Sequence, residues 1–252
     1  MLRATQLVFI VSALLTARAD AEEAMVAVAA NFSGAMNGLV SAFEDQTAHS
    51  IQTVFGSSGR FYAQIKNGAP FHAFLSADQE KPQALIDEQL ASANSRFTYA
   101  IGSLVLWSAD SDLIDADGAV LREGNFVRLA IANPMLAPYG AAALEVLENL
   151  NLQEIVRGKI IRGANIAQVY QYVSTGNTEI GMVALSQVVE NGKIARGSGW
   201  IVPANLHTPI RQDAVLLSQA ENNVAAREFL QFLHSTQGKQ IIESFGYQTL
   251  AN

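Results

Sequence analysis

The chain of 252 residues contains no cysteine, and that absence removes several chemistries at once. A disulfide framework, a thiolate metal site and a cysteine nucleophile are excluded, whereas an oxidising compartment stays compatible with the composition. Charge is also scarce: 15% of the residues are Asp, Glu, Lys or Arg, and 16 basic against 23 acidic side chains leave a net charge of −7. No basic run or stripe could neutralise a series of phosphates, so nucleic acid is not an expected partner. If the ligand is an anion, the field of the whole molecule opposes its capture and local dipoles must supply the attraction. Enzymatic signatures are missing as well. There is no G-x-G-x-x-G, Walker P-loop or H-E-x-x-H, and the sequence around Ser58 departs from G-x-S-x-G because Arg60 holds the final glycine position. His49, His72, His207 and His234 have no spacing suited to shared metal ligation.

What is present is apolar: half of the chain is hydrophobic, far from the composition of disordered sequences. The length suits one large domain or two α/β lobes of about 100–150 residues. The N-terminus joins Met1-Leu2-Arg3 to the apolar run Leu7–Leu15 and then to overlapping A-x-A sites, Ala17-Arg18-Ala19 and Ala19-Asp20-Ala21. This is the pattern of a cleavable signal peptide at residues 1–21, because Arg18 arrives before a spanning length of about 20 apolar residues is reached. No later segment approaches that length.

Beyond the signal the chain alternates short apolar runs with amphipathic helices. Met25–Ala30, Ile51–Phe55, Ala73–Ala77, Val127–Ala132, Lys159–Ile161 and Ile180–Val183 read as strands. Helical spacing follows them at Met36/Leu39/Val40/Phe43, Phe61/Tyr62/Ile65, Ala84–Leu90, Leu144/Val146/Leu147 and Ile166–Val173, with Asn31 and Ser33 expected to cap the first. Continuous rather than alternating apolar strands predict parallel-type sheets covered on both faces, with ligands outside the carboxyl ends of the strands. Tyr99–Trp107 and Ile201–Ile210 read as two crossings between lobes. The division expected is a first lobe from 22–102 and 211–252 with a second lobe, 103–210, inserted. The last stretch holds the strand Ala214–Leu217 and helices around Ala225–Leu233 and Lys239–Phe245.

Four loops of small neutral residues each lead into a helix: Ala29-Ala30-Asn31-Phe32-Ser33, Gly56-Ser57-Ser58-Gly59, Ala137-Pro138-Tyr139-Gly140 and Gly163-Ala164-Asn165-Ile166. Each alone is accounted for by ordinary capping. Several helix N-termini converging on one point would make an anion site without any formal cation.

The segments VAVAANFSGAM, VFGSSGRFYAQIKNGAPFHAFLSADQEKP, SRFTYAIGSLVLWSAD and ANPMLAPYGAAALEVL closely resemble the periplasmic molybdate-binding proteins of ABC transporters. The resemblance runs from about residue 25 to the C-terminus, and Gly68-Ala69-Pro70 with Ser76-Ala77-Asp78 is its distinctive element. It implies a two-lobe periplasmic-binding-protein fold and a non-catalytic receptor. That receptor would carry molybdate, with tungstate as a further ligand, to an inner-membrane permease from the periplasm, as a monomer without a cofactor. It further implies ligand contacts at Asn31, Ser58, Tyr139 and Ile166, the last two through backbone N–H groups. Some relatives add a tyrosine hydroxyl where this chain has Ala184; either the Tyr139 hydroxyl compensates or the cage uses fewer side chains. Arg60 could strengthen the site or be solvated, and Asp78 is expected to cap a helix or brace the lobe. A receptor for sulfate or phosphate, and a secreted hydrolase acting through Ser57 or Ser58, are the rival readings.

The signal reading is checked by sequencing the N-terminus of the exported protein. The mature chain is expected to begin between Asp20 and Glu23; retention of Met1 in a membrane-embedded chain would contradict it.

Overall fold

The computed structural model describes residues 21–250, so the signal segment lies outside the described residues apart from its end. In chain order the first part comprises β1 (Glu23–Ala29), α1 (Ser33–Glu44), β2 (Ser50–Gly56), α2 (Ser58–Lys66), β3 (Ala73–Leu75), α3 (Glu80–Asp87) and β4 (Phe97–Gly102). The middle part comprises β5 (Leu104–Ser108), α4 (Ala119–Glu123), β6 (Leu129–Ala132), α5 (Pro138–Asn149), β7 (Ile160–Gly163), α6 (Ile166–Ser174) and β8 (Ile180–Ala184). It closes with a two-strand hairpin, β9 (Val189–Glu190) and β10 (Lys193–Ile194), and with β11 (Ser198–Ile201). The chain then adds β12 (Ile210–Leu216), α7 (Val224–His234) and α8 (Thr236–Ser244).

Two five-stranded sheets result, ordered β2-β1-β3-β12-β4 and β11-β5-β8-β6-β7. Only Ser103 separates β4 of the first sheet from β5 of the second, and the chain returns between β11 and β12. Each sheet with its helices forms one lobe. The sheets are mixed rather than purely parallel. β1, β2 and β3 run parallel, as do β6, β7 and β8, but the strands beside the crossings, β4, β5, β11 and β12, pair antiparallel. A strand that leaves one lobe for the other has no crossover helix to return it in the same direction, so antiparallel pairing is the short route.

The unalternated strands have the physical basis expected of them. In β1, Ala24, Val26 and Val28 face a core built with Phe32, Met36 and Phe229, while Ala27 faces the other layer with Phe61, Ile65 and Leu85. β12 does the same, with Ala214 and Leu216 on one side and Val215 on the other. A β-bulge between Gln212 and Asp213 departs from this pattern and buries two polar neighbours in succession. The Asp213 carboxylate accepts from Arg96 Nε at 2.6 Å, Thr98 Oγ1 at 2.6 Å and Gln79 Nε2 at 3.1 Å, so the buried charge is compensated. Sequence periodicity did not reveal α4, the β9–β10 hairpin or β11, all of them short.

Gly140, in the first turn of α5, fixes how closely that helix meets β6. A Cβ there would stand 2.2 Å from the Ala132 carbonyl oxygen and 2.8 Å from its carbon, both backbone atoms. Gly140→Ala is therefore expected to destabilise the chain by about 1–3 kcal/mol, the usual cost of forcing extra volume into a packed site. A urea midpoint equal to that of the wild type would contradict this packing.

Candidate functional site

Between the lobes lies a small cavity lined by Asn31, Ser57 and Ser58 from the first lobe and by Tyr139, Asn165 and Ile166 from the second. The cavity is small, ≈ 10 Å³, about the space that a single water needs. All four residues expected at the site, Asn31, Ser58, Tyr139 and Ile166, are brought together there, and none of the lining side chains carries a charge. The lobes touch beside it, where the Gly59 N–H donates to the Leu136 carbonyl at 2.9 Å.

The attraction available to an anion comes from helix ends. α2 starts at Ser58, α5 at Pro138 and α6 at Ile166, and the first N–H groups of a helix have no acceptor within it. Proline at the start of α5 contributes no N–H, which makes that of Tyr139 its first donor. Three aligned peptide dipoles thus end at one cavity, each equivalent to about half a positive charge.

Among the polar side chains of the cavity, those of Asn31, Ser57 and Ser58 are not occupied as caps. The residues at the N-cap positions of α1 and α2 are Phe32 and Ser57, and neither makes a side-chain capping bond. The expectation that Asn31 and Ser33 cap α1 is corrected accordingly. A short 3₁₀ turn, Ala30–Phe32, enters the helix, and the Asn31 amide turns instead to Gln212 Oε1 at 2.8 Å and the Tyr247 hydroxyl at 3.0 Å. Ser58 Oγ accepts from the Ala77 N–H at 2.9 Å, which leaves its proton free to donate. Ser57 Oγ is buried without any partner, as is Thr178 Oγ1 elsewhere in the described residues. Such an orphan costs about 1–3 kcal/mol, and in the wall of a cavity it marks a donor waiting for an acceptor. Asn165 does behave as a cap, accepting from the Gln168 N–H at 3.0 Å.

Tyr139 lines the cavity at the start of α5, and its hydroxyl lies towards the crossing. Gln212 Nε2 is 3.5 Å from that hydroxyl, and a Cβ on Gly102 would come within 2.0 Å of it. Ala184, where some relatives carry tyrosine, is buried opposite Leu104 in β8, and its N–H donates to Gln187 Oε1 at 3.0 Å. Arg60 is exposed. Asp78 braces the start of α3, accepting from the Lys81 N–H at 3.1 Å and from Ser76 Oγ at 3.0 Å. A larger groove of ≈ 550 Å³ on the first lobe carries Arg96 and Arg227. Its cations are already engaged, Arg96 by Asp213 and Arg227 by the Glu221 carbonyl at 2.9 Å.

Sequence reasoning did not single out Gln212, Tyr247, Tyr99 or Ser186, and placed Ser57 in a donor loop and among the possible nucleophiles without naming it a ligand contact. For Gln212 a signal existed: Gln212-Asp213 is a polar interruption inside an otherwise apolar strand. Tyr247 follows α8 without any local motif.

The phenols around Gln212 are neutral donors. Burial pushes Tyr99 and Tyr139 well above the ordinary tyrosine range, and Tyr247 up to about 12. A folded-state value above the unfolded one gives stability that is complete below pH 10 and lost as pH rises from 10.0 through about 12. Urea unfolding across this window is expected to show that loss, and Tyr247→Phe to lessen it. A loss of the same size in Tyr247→Phe would contradict the assignment.

Comparisons with known proteins agree with this architecture. A model of bacterial extracellular solute-binding proteins matches residues 24–248. The chain is 50% identical over 234 residues to the molybdate-binding protein ModA of Azotobacter vinelandii, covering 93% of each. To ModA of Rhodobacter capsulatus it is 44% identical over 246 residues, covering 98% of this chain and 95% of that one. The solved structure of an Azotobacter vinelandii periplasmic molybdate-binding protein aligns with a TM-score of 0.87 at 38% identity, covering 90% of this chain and 100% of the other. With a family match over nearly its whole length and two relatives this similar, the chain belongs to the bacterial extracellular solute-binding proteins.

Proposed function

We propose that this chain captures molybdate between its lobes and hands it to the inner-membrane permease of an ABC transporter, working in the periplasm as a monomer. Tungstate, of the same shape and charge, is the second ligand of this reading. The observation that carries it is the uncharged interlobe cavity in which the orphaned Ser57 hydroxyl meets helix N-termini from both lobes. The names borne by the relatives supply the identity of the anion.

The chemistry follows from the donor set. Ser57 and Ser58 each have a hydroxyl proton to give, and the Asn31, Tyr139 and Ile166 N–H groups complete a cage around a tetrahedral dianion. Hydrogen bonds to a charged acceptor contribute about 1.5–3 kcal/mol each, enough together to offset the dehydration of a small anion in an uncharged site. Because all donors are neutral, the site distinguishes anions by size rather than by charge. Sulfate is also a tetrahedral dianion, but its shorter bonds would leave some buried donors unmatched. No base stands by the serines: His49, His72, His207 and His234 are absent from the cavity wall, so nothing supports hydrolysis.

Two outcomes are expected. Molybdate and tungstate raise the melting temperature strongly while sulfate and phosphate at equal concentration do little, since a ligand at a thousandfold excess over Kd stabilises by about 4 kcal/mol. Equal shifts with sulfate would remove the molybdate assignment, and no shift with any of these anions would remove the receptor reading. Ser57→Ala should move binding and stability in opposite directions. Affinity falls by about 1–3 kcal/mol, whereas the anion-free protein gains up to about 1 kcal/mol through loss of an unsatisfied hydroxyl. Calorimetric titration and urea unfolding read the two effects; a destabilised variant with unchanged affinity would show Ser57 to be a structural residue.

A further inference from the structure

Asn31 is held from behind by groups that do not line the cavity. Its carbonyl oxygen accepts from the Tyr247 hydroxyl at 2.7 Å and from Ser186 Oγ at 2.9 Å, and these two hydroxyl oxygens are themselves 2.9 Å apart. Its side-chain amide donates to Gln212 Oε1 and back to Tyr247. The protons can be shared out consistently. Tyr247 gives its single proton to the carbonyl and accepts from the amide; Ser186 gives its own to the second lone pair of the carbonyl or to the Tyr247 oxygen.

The three first-lobe members of this network, Asn31, Gln212 and Tyr247, are buried. Ser186 is not of that lobe. It stands in the 3₁₀ turn Leu185–Gln187 that follows β8 in the second lobe, and it is only partly buried. One hydroxyl of the second lobe is thus bonded to the loop through which the first lobe faces the cavity. The turn itself is well anchored, because the Leu185 N–H donates to the Ser103 carbonyl at the crossing at 2.9 Å. If the turn moves with the second lobe when the lobes part, Ser186 leaves Asn31 and that carbonyl is left to Tyr247 alone.

We propose that Ser186 and Tyr247 are positioning residues that latch the closed lobes onto the Asn31 loop, so that closure and the placing of an anion-binding loop are one event. The inference deepens the proposed function and rests on it for the identity of the anion. An anion enters while the lobes are apart and the latch is unmade, and can leave only after the latch has broken. The latch therefore sets the rate of release and leaves the rate of capture unchanged.

Stopped-flow binding of molybdate, paired with an interlobe distance measurement, tests the latch. The chain has no cysteine, so Gln64→Cys on the first lobe and Gln153→Cys on the second, both exposed, each accept one spin label. Ser186→Ala is expected to release molybdate roughly threefold to tenfold faster with an unchanged association rate, the scale of one net hydrogen bond. Ser186→Thr, which keeps the hydroxyl, restores slow release. Tyr247→Phe also speeds release, and the double variant falls short of the product of the single effects because the two hydroxyls act as one unit. Wild-type release from Ser186→Ala, failure of Ser186→Thr to rescue it, or strictly multiplicative effects would overturn the latch. A wild type that ignores molybdate counts against the proposed ligand instead, and the latch is then read from the labels without anion. A shift of the Ser186→Ala population to longer distances supports it, and a distribution identical to wild type overturns it.

Discussion

An anion that leaves water must be given as many donors as it loses, and here they have to be found without a single cation in the cavity wall. That constraint explains why the site lies where it does. Peptide N–H groups are left unpaired in quantity only at the beginnings of helices, and in an α/β layer these lie beyond the carboxyl ends of parallel strands. β2 runs into α2 at Ser57-Ser58, β6 reaches α5 through the loop before Tyr139, and β7 reaches α6 at Ile166. Facing the two strand ends towards one another across a pair of crossings pools the donors of both lobes. With an anion bound there as proposed, the net charge of −7 makes the neutral solution more demanding, since the field of the whole molecule opposes its capture.

The same arrangement accounts for features that would be costly elsewhere. Ser57, whose hydroxyl has no partner, and Tyr139 line the interlobe cavity, and behind it the bulge residue Gln212 joins Asn31 and the neutral buried phenols of Tyr99, Tyr139 and Tyr247 in one polar layer. Gly102 belongs to this group, because any side chain there would displace the Tyr139 hydroxyl and Gln212. Tertiary packing in the two lobes stabilises the chain well enough to hold these polar groups in place. The two cores on either face of the first sheet and the core of the second lobe are built from strands that are apolar on both sides.

Much of this was legible before any coordinates. Continuous apolar runs such as Met25–Ala30 and Ile180–Val183 read as strands covered on both faces, and the small neutral loops ahead of helices suggested an anion site, within which the resemblance to molybdate-binding proteins implied Asn31, Ser58, Tyr139 and Ile166. Local pattern misled where the competing use of a residue was distant in sequence. Asn31 has the position and chemistry of a helix cap, but its partners are Gln212 and Tyr247, 181 and 216 residues away. Ser57 and Ser58 are adjacent and chemically identical, and only the fold shows that one accepts from Ala77 while the other has no partner. The mixed direction of the sheets was hidden for a related reason, since a strand buried on both faces has the same composition whichever way it runs.

The central claim is that an oxyanion is held by neutral donors of both lobes and by no cation. Anomalous scattering from crystals grown with molybdate tests it most directly. The account predicts one strong molybdenum peak in the interlobe cavity, its oxygens within hydrogen-bond reach of Ser57, Ser58 and the backbone N–H groups of Tyr139 and Ile166. A principal peak beside Arg96 and Arg227 in the groove of the first lobe, with the interlobe cavity empty, would contradict it.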